Sequence, residues 1–176
     1  RSMVESFQSF TDLYVDVLRR LVEGDVAARE ACAFVDFDYG VFDGAESWPQ
    51  LRQWQAERAA AGLDASRADM AGYIDDMFGC ALGKAYTEGV LVLAQRLAKA
   101  FGFEVKLTKV EGPARALVVL GALLDLESDA MLLDKAKVLK YLAAIKEALR
   151  PGVRLRLRDL ESLLGKLVYA AGFSPE

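Results

Sequence analysis

The sequence predicts an α+β fold: an antiparallel sheet with helices on one face, followed by a helical appendage. Two kinds of hydrophobic rhythm lead there. Residues 3–23 and 134–149 place apolar side chains at three- and four-residue steps, as a helix with one buried face requires. Residues 71–81 and 116–133 hold short apolar arms around polar or glycine-containing turns, as hairpins do. From residue 71 the order reads β–β–α–β–β–β–α–α, which lacks the strict strand–helix alternation of a parallel sheet.

Taken in order, Phe7, Phe10, Leu13, Tyr14, Val17, Leu18 and Leu21 form the apolar stripe of a first helix, which Gly24 ends. The run ACAFVDF, residues 31–37, reads as a short strand, and DYGVFDGAES follows as a turn-rich loop. Ser47 and Gln50 form a capping box, with Pro49 in the first turn, for a helix ending near Gly62. GLDASRAD is a connector. AGYI and MFGCAL then flank Asp75 and Asp76 as the arms of a hairpin. Thr87 caps a helix that runs to Phe101, with Val90, Leu91, Leu93, Ala94, Leu97 and Phe101 on its buried side, and Gly102 stops it. FEVKL, residues 103–107, is a short strand. A second hairpin pairs ALVVLGALLDL with AMLL across a turn at Glu127-Ser128-Asp129. Asp134 caps a helix carrying Val138, Leu139, Leu142, Ile145 and Leu149, which Pro151-Gly152 breaks. VRLRL alternates ahead of a last helix, RDLESLLGKLVYAAG. The chain thus divides into residues 1–24, 25–69, 70–133 and 134–176.

At 176 residues and 53% apolar side chains, the chain suits one domain, or a domain with a small appendage, built on a sizeable core. Cys32 and Cys80 sit in apolar runs and read as core residues rather than a disulfide, which suits a reducing compartment. The absence of histidine excludes Ser-His and Cys-His triads and histidine-bound zinc. The longest apolar run, ALVVLGALL, is too short to cross a bilayer, so the expectation is an intracellular protein, cytoplasmic or nuclear, without a membrane partner. Charge is distributed unevenly. Residues 1–76 carry 7 basic against 15 acidic side chains, whereas residues 131–176 carry 9 against 5. A basic C-terminal segment is either a solvated helix face or a contact for a polyanion.

The two adjacent aspartates are the most pointed feature. Like charges placed together repel, and one carboxylate would take up a proton unless something positive is shared between them. A hard divalent cation supplies that charge, because Mg²⁺ accepts a few carboxylate oxygens and completes its shell with water and substrate phosphates. The frame adds meaning to the pair: an apolar strand ending in Tyr73-Ile74, then Asp75-Asp76, then another apolar strand.

GYIDDMFG, residues 72–79, resembles the Tyr-X-Asp-Asp hairpin of reverse transcriptases, the metal-binding motif of the polymerase palm. Other segments extend the likeness in order. SFQSFTDLYVDVLRRL resembles the palm helix before that hairpin. FGFEVKLTKVEGP resembles the next palm segment, ALVVLGALLD the primer-grip hairpin, and DKAKVLKYLAAIKEAL with LRDLESLLGKLVYAAGFSP the thumb helices of retroelement enzymes. The resemblance implies a partial, antiparallel palm-like sheet with helices on one face and a helical thumb. It implies RNA-directed DNA polymerase chemistry, that is, transfer of a nucleotidyl group to a primer 3′-hydroxyl, with Mg²⁺ or Mn²⁺ held by Asp75 and Asp76. It also implies that Lys109 faces the incoming triphosphate, that Val119, Leu120, Gly121 and Ala122 grip the primer, and that primer–template and dNTP are the partners.

The pattern departs from the family at one place. A palm requires a third carboxylate on a strand ahead of the first helix, and the chain opens at that helix. FVDFDYGVF, residues 34–42, offers Asp36 or Asp38 as the third ligand if the palm is permuted; otherwise residues 25–69 are an insertion that packs on the palm or extends it. The expectation is therefore a chain that is inactive alone, completed by a missing fingers segment or by other copies of itself. The alternative is a non-catalytic nucleic-acid-binding or self-assembling module derived from such an enzyme. Lys137, Lys140 and Lys146 lie off the apolar stripe of their helix and are candidate phosphate contacts, as is Lys166. Gly121 in a strand marks either a weak point or a close backbone approach.

Overall fold

A computed structural model describes residues 3–73 and 76–173, with the backbone alone for residues 3–7, 46 and 47. The chain is α+β and forms two compact units, Arg1–Pro113 and Ala114–Glu176. Among the described residues, no helix is long and apolar enough to cross a membrane.

The first unit is built on α1 (Met3–Glu23), whose buried face is Thr11, Tyr14, Val15, Leu18, Leu21 and Val22. Phe10 and Leu13, expected on that face, are exposed, because the face rotates towards Val15 and Val22. Asp25 then caps α2 (Val26–Ala31), its carboxylate accepting from Ala28 N at 3.0 Å and pairing with Arg20 at 2.7 Å. The predicted strand at residues 31–37 does not form. Cys32 closes α2 and the chain turns, so that Cys32 and Val35, three residues apart, both reach the core. A run of apolar residues can read as a strand while its members enter the core at a turn's spacing.

Next come α3 (Gly40–Asp43), a 3-10 turn at Gly44–Ser47, and α4 (Pro49–Ala60). Trp48 occupies the position before Pro49, one residue later than the predicted cap. Phe42 is fully buried, with Phe37 stacked on it at 5.5 Å and the Tyr86 ring edge-on at 5.0 Å. Ala28, Cys32, Val35, Phe42, Ala45 and Leu51 share one core with α1. Residues 25–69 therefore contribute buried side chains to the core that α1 is built on. At the end of α4, Arg58 grips the Asp69 carboxylate through both terminal nitrogens, at 2.5 and 2.8 Å, and so ties the helix to the next strand.

Strands β1 (Ala68–Tyr73) and β2 (Asp76–Ala81) pair antiparallel, from Ala68↔Ala81 to Tyr73↔Asp76. Helix α5 (Lys84–Ala100) has its N-cap at Gly83, four residues ahead of the predicted Thr87 cap. The Thr87 hydroxyl donates back to Gly83 O at 2.9 Å from inside the first turn. Tyr86, Leu93, Leu97 and Ala98 are the buried face of α5. FEVKL does not become a strand either. After Gly102, at φ +82°, Phe103 folds back so that its ring lies 4.7 Å from that of Phe10 on α1, and a 3-10 turn at Leu107–Lys109 follows.

The second unit holds three strands, β3 (Ala116–Val119), β4 (Ala122–Asp125) and β5 (Ala130–Leu133), in the order β3-β4-β5. The stretch expected to be one long arm is broken at Leu120-Gly121, which makes a tight turn between β3 and β4. The two hairpins thus belong to separate sheets of two and three strands, because no strand forms between them. Asp134 caps α6 (Lys135–Ala148) through Lys137 N at 3.3 Å, as expected, and α7 (Leu157–Ala171) begins within the alternating VRLRL stretch.

Candidate functional site

The β1–β2 hairpin is where the sequence concentrates its chemistry. Tyr73 pairs with Asp76, so the connection between the strands is residues 74 and 75. Asp76 is exposed at the start of β2, beside an exposed Tyr73, and forms no ion pair with a described residue. Asp75 lies outside the described residues.

Helix α1 sets where the hairpin sits. A side chain at Gly72 would put its Cβ 2.2 Å from Thr11 Cγ2, so only glycine permits α1 to cross the strand at this height. Gln8 Nε2 donates to Gly72 O at 3.2 Å and to Asp12 Oδ1 at 2.7 Å, and Arg19 Nη2 donates to Met70 O at 3.4 Å. These bonds use outward carbonyls of β1 that no third strand takes. Between helix and strand lies an open cavity of about 380 Å³, lined by Asp12, Val15, Asp16, Arg19, Met70, Ala71 and Gly72. The carboxylates brought beside β1 are thus Asp12 and Asp16. Sequence reasoning passed over this pair, although its four-residue spacing on α1, outside the apolar stripe, was visible.

Asp36 and Asp38 have other employment. Asp36 is fully exposed, 4.0 Å from Arg96 on α5. Asp38 accepts from Gly40 N at 2.9 Å, which shapes the turn into α3. Among the described residues, no three cysteine, aspartate or glutamate side chains gather closely enough to hold a metal ion. Lys109 is exposed at the end of the 3-10 turn, its N–H bonded to Lys106 O at 2.8 Å.

In the second unit, Val119, Leu120, Gly121 and Ala122 make the β3–β4 turn, with φ +50° at Leu120 and +82° at Gly121. Two consecutive positive φ values define the hairpin turn that favours Asn-Gly, and leucine at the first position is strained. The Leu120 carbonyl accepts from Lys137 Nζ at 2.9 Å and from the Tyr169 hydroxyl at 3.0 Å. Lys137 Nζ also lies 4.6 Å from the Tyr169 ring centroid, and Asp134 N donates to Gly121 O at 3.2 Å. Lys137 therefore points at its own turn. Lys140 and Lys146 are exposed on α6, and Lys166 is half-buried on α7.

Of the two cysteines, Cys32 is buried and Cys80, expected in the core, is exposed on β2; both are free thiols. At the far end of α1, Glu23 accepts from Arg67 N and pairs with the Arg67 guanidinium at 3.6 Å. Burial raises the Glu23 carboxyl above its ordinary value, with the Arg67 contacts opposing the shift.

No protein-family model, curated protein or solved structure matches the chain.

Proposed function

We propose that the chain is the palm–thumb portion of a retroelement reverse transcriptase, which in its complete form transfers nucleotidyl groups to a primer 3′-hydroxyl. The observation that carries this reading is the Tyr73↔Asp76 pairing, which ends the two strands of the hairpin at these residues, with Asp76 exposed at the start of β2. A carboxylate at such a tip, free of described ion-pair partners, suits a hard cation that needs oxygen ligands and open positions for water and phosphate. Asp75 and Asp76 would hold Mg²⁺ or Mn²⁺. When bound, the metal would acidify the primer hydroxyl and offset charge developing on the departing pyrophosphate. Lys109, exposed and cationic, would meet the triphosphate, and Val119–Ala122 would hold the primer end. Lys140, Lys146 and Lys166 would meet backbone phosphates.

A second reading has its own support. Among the described residues β2 pairs only with β1, which leaves its outer edge open to another strand. The chain would then be a self-assembling or nucleic-acid-binding module descended from such an enzyme. Titration with Mn²⁺ separates the two. Binding lost in both Asp75→Asn and Asp76→Asn supports the metal site. Salt-sensitive nucleic-acid binding indifferent to Mn²⁺, together with a mass that rises with concentration, supports the module.

A further inference from the structure

We propose that Lys137 and Tyr169 are positioning residues that hold the Leu120-Gly121 turn in its left-handed conformation, and that Lys137 is not a phosphate contact. This rests on the reading of Val119–Ala122 as the segment that holds a primer end. Three observations meet at the turn. The Leu120 carbonyl receives two side-chain donors, from the first turn of α6 and the last turn of α7. The Lys137 ammonium lies over the Tyr169 ring, so each donor helps to place the other. A Cβ at Gly121 would fall 1.8 Å from Lys137 Nζ, so the lysine occupies the space that glycine leaves. A leucine at φ +50° persists only where surrounding contacts over-determine it, and this clamp, with the Asp134–Gly121 bond beside it, supplies them. Two of the three donors come from helices distant in sequence, so the turn is held as part of the unit.

The test compares the chain with Tyr169→Phe and Lys137→Met for binding to a recessed-3′-end primer–template and to a blunt duplex of equal length, over a range of salt. Wild type is expected to prefer the recessed end. Tyr169→Phe, which removes one hydroxyl and no charge, is expected to cut that preference by about fivefold, the size of one lost hydrogen bond. Lys137→Met is expected to cut it at least as far, the double variant no further than Lys137→Met, and blunt-duplex affinity and its salt slope to stay put. A salt slope smaller by about one in Lys137→Met, with both duplexes weakened alike, would make Lys137 a phosphate contact and overturn the proposal. Unchanged preference in Tyr169→Phe would also overturn it while leaving the reading of the hairpin intact. No preference in wild type would sink the reading of the hairpin itself, and the clamp's role with it.

Discussion

Replacing Gly72 with alanine sets a methyl carbon 2.2 Å from Thr11 Cγ2, 3.5 Å from Thr11 Cβ and 3.4 Å from Val15 Cγ2. Thr11 is buried, 6% exposed, so either its methyl must turn into a crowded, less favourable rotamer or α1 must lift from β1 by more than an ångström to restore ordinary contact. Overpacking of this kind costs about 1–3 kcal/mol, and the size of the overlap argues for the upper half of that range. The loss of unfolded-chain entropy from Gly→Ala returns about 0.4–1 kcal/mol, so the expected net loss is about 2 kcal/mol. With a urea slope of about 2 kcal/mol/M, the midpoint should fall by about 1 M. Thr11→Ser removes the clashing methyl and keeps the hydroxyl. By itself it should cost about 1 kcal/mol for one buried methyl, yet in the Gly72→Ala background it should recover most of the loss. A Gly72→Ala midpoint equal to wild type, or a double-mutant coupling near zero, would mean that α1 does not cross the hairpin at this residue.

Three further outcomes follow from the same contacts. Phe42→Ala should cost about 3–5 kcal/mol in chemical denaturation, because it empties a fully buried ring site between Phe37 and Tyr86; a loss below 1 kcal/mol would show that residues 25–69 are not core. Glu23 binds its proton more tightly folded than unfolded, so its contribution to stability is fully present below the ordinary glutamate range and declines as pH rises through the raised value. Comparing denaturation midpoints at mildly acidic and neutral pH, Glu23→Gln should show a smaller decline than wild type; an equal or larger one would refute the assignment. Leu120→Asn makes the turn Asn-Gly and relieves a positive φ, so the thermal midpoint should rise with about 1 kcal/mol of added stability; a fall would mean that the leucine side chain contributes more than its backbone costs.

What was legible in the sequence was what neighbouring residues decide. The hairpin read from residue 71 follows from apolar arms around a polar pair, although β1 begins three residues earlier at Ala68, and the α6 cap follows from Asp134 three residues ahead of Lys137. The failures have long-range causes. FEVKL has strand chemistry, but Phe103 is claimed by Phe10, more than ninety positions away. ACAFVDF has the composition of a strand, but Cys32 and Val35 are drawn to a core formed by α1 and α5. Gly121 read as a glycine within a strand because nothing local signals that Lys137 will fill the space beside it. At the candidate site, Asp76 was visible as half of an unusual pair. The placement of Asp12 and Asp16 beside β1 depends on where α1 crosses, which no local pattern encodes.

Mn²⁺-induced broadening of backbone amide signals locates, residue by residue, a divalent ion held by the hairpin aspartates. Broadening is expected to centre on Tyr73, Asp76 and Met77 at low Mn²⁺ and to be abolished in Asp76→Asn. Broadening centred instead on exposed carboxylates such as Asp36, or unchanged in Asp76→Asn, would contradict a metal site at the hairpin.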